Sequence, residues 1–490
     1  MNSGERKLTA IRNGEIEIKP YKLSILKELC IEAKVNDHIY VYLVGELWNG
    51  DGEKRDQYAI EAAEKEKLEI NAEVNGEMQN LFTGLVTNIQ VSFANNVYSI
   101  KVEAVSATCN LDLKRENNSF QDQEMQYKEI FNKIKKSCQD SFKTELKLTD
   151  ETTQNKKTGQ FVIQYKETNW EFLKRLASHF HTVLLPNART EHAEVSFGLP
   201  KSSKKAVTEE ELENLCYRVR KRIGDFRSLH ENDQEDQGRL EIDYICYEVE
   251  SYLPLELGEK VKFKEKELLV YQVTAILRDD QLIFNYVLAA KKAFSQNRVY
   301  NQQLVGLSLE GEVLELKKDQ VKIHLKIDKG QDKAKAYLFP YATPYTAEGN
   351  TGWYCMPEEK DWVNLYFPTC KEEDAFITTS NRTQTDERMH DPQVKYFRTP
   401  SGKEISFDAE QILITCNEGK TLIRLSEKVG IEIFSDQNII ISTSKDITMN
   451  ASERILIQAD QKIELVGGDN TSIKMENGVI HLKGSQLKTE

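Results

Sequence analysis

Between Ile423 and Leu465 one small pattern recurs every eight residues: an apolar residue, any residue, another apolar residue, then a polar turn. The pairs are Ile423/Leu425, Ile431/Ile433, Ile439/Ile441, Ile447/Met449, Ile455/Ile457 and Ile463/Leu465. Alternation puts both apolar side chains of a pair on one face of a short strand. Polar spacers such as Ser435-Asp-Gln-Asn438 and Asn450-Ala-Ser-Glu-Arg454 supply the bends between strands. Looser pairs flank the run, Ile405/Phe407 and Ile412/Ile414 before it, Ile473/Met475 and Ile480/Leu482 after it, so the repeat covers most of residues 401–490. This is the signature of a β-solenoid. One octad buries about two side chains, so it must stack on others. A single chain would make about four coils with open ends, a poor core. Three chains wound around one axis instead give a triangular prism with a continuous core, and symmetry closes the assembly. The expectation is an intertwined trimeric β-helix whose axial core is Ile423, Leu425, Ile431, Ile433, Ile439, Ile441, Ile447, Met449, Ile455, Ile457, Ile463, Leu465, Ile473, Met475, Ile480 and Leu482.

Upstream the periodicity changes. Residues 1–115 carry β patterns in Glu15–Lys19, His38–Val44 and Tyr98–Ala104, with the charged stretch Asp51–Glu69 predicted to be an exposed insertion. A helix is predicted from about Asp122, with Tyr127, Ile130, Phe131, Ile134 and Cys138 on one face. Thr168-Asn-Trp-Glu171 forms a capping box for another, whose stripe is Leu173, Leu176, Ala177 and Phe180, and Thr208-Glu-Glu-Glu211 repeats the cap signal. Strands return over Leu240–Glu250, Glu259–Phe263, Leu268–Leu277 and Gln281–Leu288. From Leu304 a new unit begins: Val321, Ile323, Leu325 and Ile327 alternate with polar partners, and Asp361–Phe367 and Ala375–Thr379 add strands of a small barrel. The polar residues 381–394 are its connector to the octads. The fold expected is mainly β with some α. Its parts are 1–115, 116–300, 301–380, a connector at 381–400, and the solenoid at 401–490.

Length agrees, since 490 residues suggest three or four domains at about 150 residues each. With 30% of residues charged and 39% hydrophobic, no stretch approaches the roughly 18 to 20 apolar residues of a membrane span. The start, Met1–Leu8, lacks the apolar segment of a signal peptide. Assembly in the cytoplasm is therefore expected, with any delivery outside the cell by a route other than general secretion. A net charge of −13 argues against nucleic acid or an anionic membrane as a generic partner. The eight cysteines include no Cys-x-x-Cys pair, which favours reduced, mostly buried thiols.

Candidate chemistry is sparse. His179 and His181 flank Phe180 at a helix end, but i and i+2 diverge on a helix, and a cation suits a helix C-terminus, so they are expected to be ordinary histidines. His481 lies between Ile480 and Leu482 and should face outward, and His324 sits on the polar face of its strand. Asp279-Asp280 and Glu358-Glu359 are pairs that 79 acidic residues produce by chance. No phosphate-binding Gly-rich loop occurs, and Gly467-Gly468 is expected to absorb a register change in the solenoid. No catalytic residue, metal site or cofactor is expected, and the protein is not expected to be an enzyme. The rival from another class is a β-solenoid polysaccharide-degrading or carbohydrate-binding protein. Such sites need a wide solenoid with a carboxylate groove, whereas eight-residue strands make a narrow needle. A trimeric adhesin stalk is disfavoured by the missing signal peptide.

Several stretches, in order, resemble the VgrG-type spike proteins of contractile injection systems, relatives of phage tail hub and spike proteins. They are Leu81–Ile89 with Ser106, Leu111–Leu113 and Ser119-Phe-Gln-Asp122; Gln164–Leu176; Glu248–Ser251 with Leu257–Val261; Gly352–Val363; and Arg398–Asp408. The resemblance implies a homotrimer in which two β-rich hub domains with helices form a pseudo-six-fold ring on a hexameric tail-tube protein, among baseplate components. It further implies an OB-fold barrel at 301–380 and a needle that punctures a target envelope, often with a small PAAR-type tip protein. The chain stops at Glu490, soon after the last octad, so effectors are expected to be separate polypeptides. Some phage spikes carry a lysozyme-like insertion between barrel and needle, and none is seen here. Others cage iron with a needle His-x-His, and here His481 stands alone.

Overall fold

A computed structural model describes residues 10–48, 55–63, 66–201, 205–231, 238–347, 351–381, 391–416 and 419–488. The Met1–Leu8 segment, most of the 381–394 connector and parts of the Asp51–Glu69 insertion lie outside the described residues. The chain is mainly β with few helices, and it divides into two units, Met1–Thr383 and Gln384–Glu490.

An 11-stranded sheet dominates the first unit. Its order is Ile16–Lys19, Lys67–Val74, Glu77–Ala94, Val97–Ser106, Tyr40–Leu47, Leu23–Lys34, Lys266–Arg278, Gln281–Ala289, Ile245–Ser251 and Cys216–Lys221, with Lys260–Phe263 paired to Lys266–Arg278. The two β-rich regions on either side of the helices are therefore joined edge to edge, with Ala33 opposite Val273 and Ile31 opposite Ala275. Pairing of these edges hides two rows of backbone donors and acceptors that would otherwise be open to another chain. Ile31, Leu43, Phe82 and Val102 from the N-terminal half share one core with Val249, Val270, Phe284 and Tyr286. The predicted strand Leu240–Glu250 begins later than expected. Asp243 accepts from the Leu240 N–H and winds Glu241–Tyr244 into a 3-10 turn first.

Two helices build a second core. Tyr127–Phe142 buries Tyr127, Ile130, Phe131, Ile134 and Cys138, the stripe its spacing implied. Asn169–His179 starts at the predicted capping box: Glu171 N–H donates to Thr168 Oγ1 at 3.1 Å and the Glu171 carboxylate accepts from Thr168 N–H at 2.9 Å. Both pack with a sheet ordered Leu184–Asn187, Ala193–Phe197, Leu146–Asp150. The Thr208 cap leads a single turn, Glu209–Leu212.

A third core lies in the five-stranded sheet Leu338–Pro340, Gln320–Leu325, Ser308–Lys317, Trp362–Tyr366 and Phe376–Asn381. Val321, Ile323 and Leu325 are fully buried, as their alternation implied. The sheet's two ends meet at one parallel bridge, where Ala342 N–H donates to the Ile377 carbonyl at 2.7 Å.

The second unit contains two antiparallel sheets. One runs Lys395–Arg398, Glu404–Phe407, Gln411–Cys416, Thr421–Ser426 and Gly430–Ser435; the other runs Lys462–Gly467, Thr471–Glu476 and Val479–Lys483. This corrects the expectation of an unbroken ladder of octad strands. Ile439/Ile441, Ile447/Met449 and Ile455/Ile457 lie in no strand, and the single chain forms no β-helix among the described residues. A strand exists only by pairing, and within one chain these octads find no neighbouring ladder. Gly467-Gly468 serves a hairpin, with Gly468 at φ 65°, rather than a register change. The cysteines also differ from expectation. All eight are free, but only Cys138 and Cys246 are buried; Cys216 lies exposed on the edge strand of the large sheet and Cys355 exposed in a loop.

Candidate functional site

A buried, densely hydrogen-bonded polar site in the first unit is built on a two-stranded ribbon, Arg115–Phe120 paired with Val162–Thr168. Its apolar run Phe161-Val-Ile163 serves two cores because the ribbon is covered on both faces. Val162 enters the helical core, while Phe161 and Ile163 enter the core of the five-stranded sheet. Phe161 meets Phe339 edge to face with centroids 5.0 Å apart.

Charge locks the same ribbon. Arg175, on the apolar side of the helix Asn169–His179, forks onto Glu167 through Nε at 2.7 Å and Nη2 at 2.8 Å. Its Nη1 reaches Glu372 of the small sheet at 2.8 Å, and Nη2 also donates to the Ile163 carbonyl at 2.6 Å. All three charged side chains are buried. Burial alone would lower the Arg175 pKa, yet Glu372 and Glu167 raise it, so the guanidinium stays charged. Burial raises the pKa of Glu167, with Glu372 adding to the rise and Arg175 opposing it. A planar five-donor cation suits this two-carboxylate, one-carbonyl receptor better than lysine would.

A second clasp lies on the other ribbon strand. Ser119 donates to Asp328 through N–H at 2.9 Å and Oγ at 2.5 Å, and Tyr337 N–H donates to Gln121 Oε1 at 3.2 Å. Lys335 pairs with Asp122 at 3.4 Å. Burial raises the Asp328 pKa, against the two Ser119 hydrogen bonds. Two of the quoted sequence stretches, Ser119–Asp122 and Gln164–Leu176, thus converge on one rigid joint.

A Thr–His–Asp set elsewhere imitates a catalytic triad. His38 Nδ1 meets Thr108 Oγ1 at 2.8 Å and Nε2 meets Asp112 at 3.2 Å. Thr108 is fully buried, so its hydroxyl has no approach for a substrate. Asp112 also accepts from Thr168, so the set braces the N-terminus of the helix Asn169–His179. His179 and His181 behave as struts too. Their ring nitrogens reach the Val299 and Gln296 carbonyls at 2.9 Å, and burial lowers the His179 pKa against the opposing charge of Glu372. His324 is half-buried, with Nε2 at 3.1 Å from the Asp328 carbonyl. Asp279-Asp280 forms a positive-φ hairpin turn, and Glu359 pairs with Lys333. Among the described residues no group of three or more His, Cys, Asp or Glu is placed to hold a metal.

In the second unit the structure brings ten of the sixteen solenoid-core residues into cross-strand rows. Ile423 lies opposite Ile433 and Leu425 opposite Ile431; Leu465, Ile473 and Leu482 form one row, and Ile463, Met475 and Ile480 another. The other six lie outside strands. Solvent exposure runs as high as 74% at Ile441, so the single chain leaves these side chains uncovered. His481 pairs with Lys474, on the face opposite Ile480 and Leu482.

The fold is similar over most of its length to spike and tail proteins. A type VI secretion component of E. coli, c3393, itself described as structurally similar to the T4 tail proteins gp27 and gp5, matches with 12% identity and a TM-score of 0.51, covering 75% of this chain and 99% of that one. A chain of the PdpA–VgrG complex in its lidless form matches with 10% identity and a TM-score of 0.54, covering 87% of this chain and 98% of that one. At such identities the likeness is one of fold. A family profile described as the Alg8 N-terminal domain matches residues 58–210, a span that cuts across the large sheet and the helical core and coincides with no structural unit. No curated protein matches.

Proposed function

We propose that this protein is the trimeric central spike and hub of a contractile injection apparatus, acting mechanically rather than as an enzyme. The observation that carries this reading is the uncovered apolar face of the second unit. Half-exposed Ile, Leu and Met side chains in the cross-strand rows of its two sheets each forgo on the order of 1 kcal/mol of burial, and two more copies would cover them in register. The fold likeness to VgrG-type and tail proteins supports the same reading, as does the two-clasp joint, which suits a part loaded along its axis. The single bridge between Tyr341 and Ile377 supports a small OB-like barrel at 301–380. In this proposal the 11-stranded sheets ring the axis on a hexameric tail-tube protein, within a baseplate. Residues 401–490 form a triple-stranded β-helix needle that punctures the target envelope, carrying a PAAR-type tip and working with separate effector polypeptides. The protein would be assembled in the cytoplasm and leave it on contraction. Negative-stain imaging of the purified full chain tests this. A ring bearing a needle is expected, and compact single-chain particles would refute it.

A further inference from the structure

The sheet Leu184–Asn187, Ala193–Phe197, Leu146–Asp150 treats its two edges differently. Asn36 closes the first: its N–H donates to the Leu184 carbonyl and its Oδ1 accepts from the Leu184 N–H, both at 2.8 Å. The other edge strand, Leu146–Asp150, pairs only inward, parallel to Ala193–Phe197. Ala193 N–H donates to the Glu145 carbonyl and Glu151 N–H to the Phe197 carbonyl, both at 3.1 Å, and these two bonds fix the phase of the ladder. Alternate residues of an edge strand turn their backbone groups outward, so Lys147 and Thr149 bond inward while the N–H and C=O of Leu146 and Leu148 face out. Among the described residues these outward groups have no partner. An open groove of about 590 Å³ lies along them, walled by Leu146–Thr149 on one side and by Lys135, Lys136 and Gln139 of the helix Tyr127–Phe142 on the other.

A row of open strand donors and acceptors selects an extended peptide, because only a second backbone repeats at that spacing. Charge then selects which peptide. The chain's net charge is −13, yet the groove is walled by three lysines and one carboxylate, Glu145, which His192 faces at 3.5 Å. None of the three lysines makes an ion pair or hydrogen bond among the described residues, although Lys135 is half-buried. Glu194, beside Lys147 in the ladder, accepts from Thr190 Oγ1 at 3.3 Å instead. Lysines on an open edge repel another basic strand, a second copy of this edge included, and attract an acidic one. We propose that Leu146–Asp150 takes an acidic, extended segment of a partner polypeptide as an added strand, with its carboxylates on Lys135, Lys136 and Lys147. The site lies wholly within the first unit, so it stands apart from the oligomeric state of the needle.

Fluorescence anisotropy of a labelled octapeptide of alternating threonine and glutamate, titrated with the full chain, tests this. Saturable binding is expected, weakened tenfold or more by Lys135→Glu and by Lys147→Glu. Lys317→Glu, on the five-stranded sheet, should leave it unchanged. The same peptide N-methylated along its backbone keeps the charge and loses the donors, and it should bind at least tenfold more weakly, as should an octapeptide of alternating threonine and lysine. Unchanged melting of the groove variants shows that the fold survives. No binding of the threonine–glutamate peptide, undiminished binding of its N-methylated form, or undiminished binding by both groove variants overturns the proposal. So does equally tight binding of a single-stranded oligonucleotide, because the groove would then be an unselective cationic patch.

Discussion

The strands Gln320–Leu325 and Gly430–Ser435 carry the same alternation of apolar and polar residues, and their apolar side chains meet opposite fates. Val321, Ile323 and Leu325 are completely buried, whereas Ile431 is 72% exposed and Ile433 60%. The first strand belongs to a chain segment that folds over itself and supplies its own cover. The second belongs to a repeat with one apolar face that no second layer covers among the described residues of its own unit. Alternation specifies which face must be covered; it does not say by which chain.

That contrast can be broken most severely at Ile447. If its side chain points to a three-fold axis, Ile447→Asp sets three carboxylates at one dry level, at several kcal/mol each, and trimer assembly should fail or become strongly pH-dependent. Thr448→Asp, on the other face, should stay within about 0.5 kcal/mol per chain. Thermal unfolding of the two variants decides it, and an equal or larger effect at Thr448 would reverse the assigned facing.

In the self-covered unit, Arg175→Ala should cost about 3 to 5 kcal/mol, since it strands two buried carboxylates. Denaturant unfolding of the full chain measures this, and a loss under about 1 kcal/mol would show that the joint is solvated. Ser119→Ala removes one hydrogen bond to the buried Asp328 and should cost about 1.5 to 3 kcal/mol in the same assay. The smallest effect is expected at Asp112. Burial would raise its pKa, but hydrogen bonds from His38 and Thr168 outweigh that and hold it below the ordinary 3.8. Its stabilisation is therefore complete above that value and is lost as pH falls through the lower folded one. Because the side chain is partly exposed, Asp112→Asn should flatten the acid limb of the stability profile by only about 0.5 kcal/mol. An unchanged limb would remove Asp112 from the acid response.

Local features were legible in the sequence because their causes are local. The stripe Tyr127 to Cys138, the Thr168 capping box and the alternation Val321 to Leu325 all involve residues within a few positions of each other. The joint was not, since Arg175 and Glu372 stand 197 positions apart and no spacing rule connects them. A hint was available: a lone arginine between Leu173 and Leu176 on a buried stripe demands a carboxylate from elsewhere. The edge pairing of Leu23–Lys34 with Lys266–Arg278 was equally silent, because any two apolar edges fit. The octads were legible as a face, but not the absence of strands at Ile439/Ile441, Ile447/Met449 and Ile455/Ile457, because pairing is a long-range property that local alternation does not fix.

Light-scattering mass of the purified full chain, followed on dilution through the micromolar range, tests the shared apolar core most directly. Three chain masses, unchanged on dilution, are predicted. A monomer mass for well-folded protein would contradict the trimeric needle.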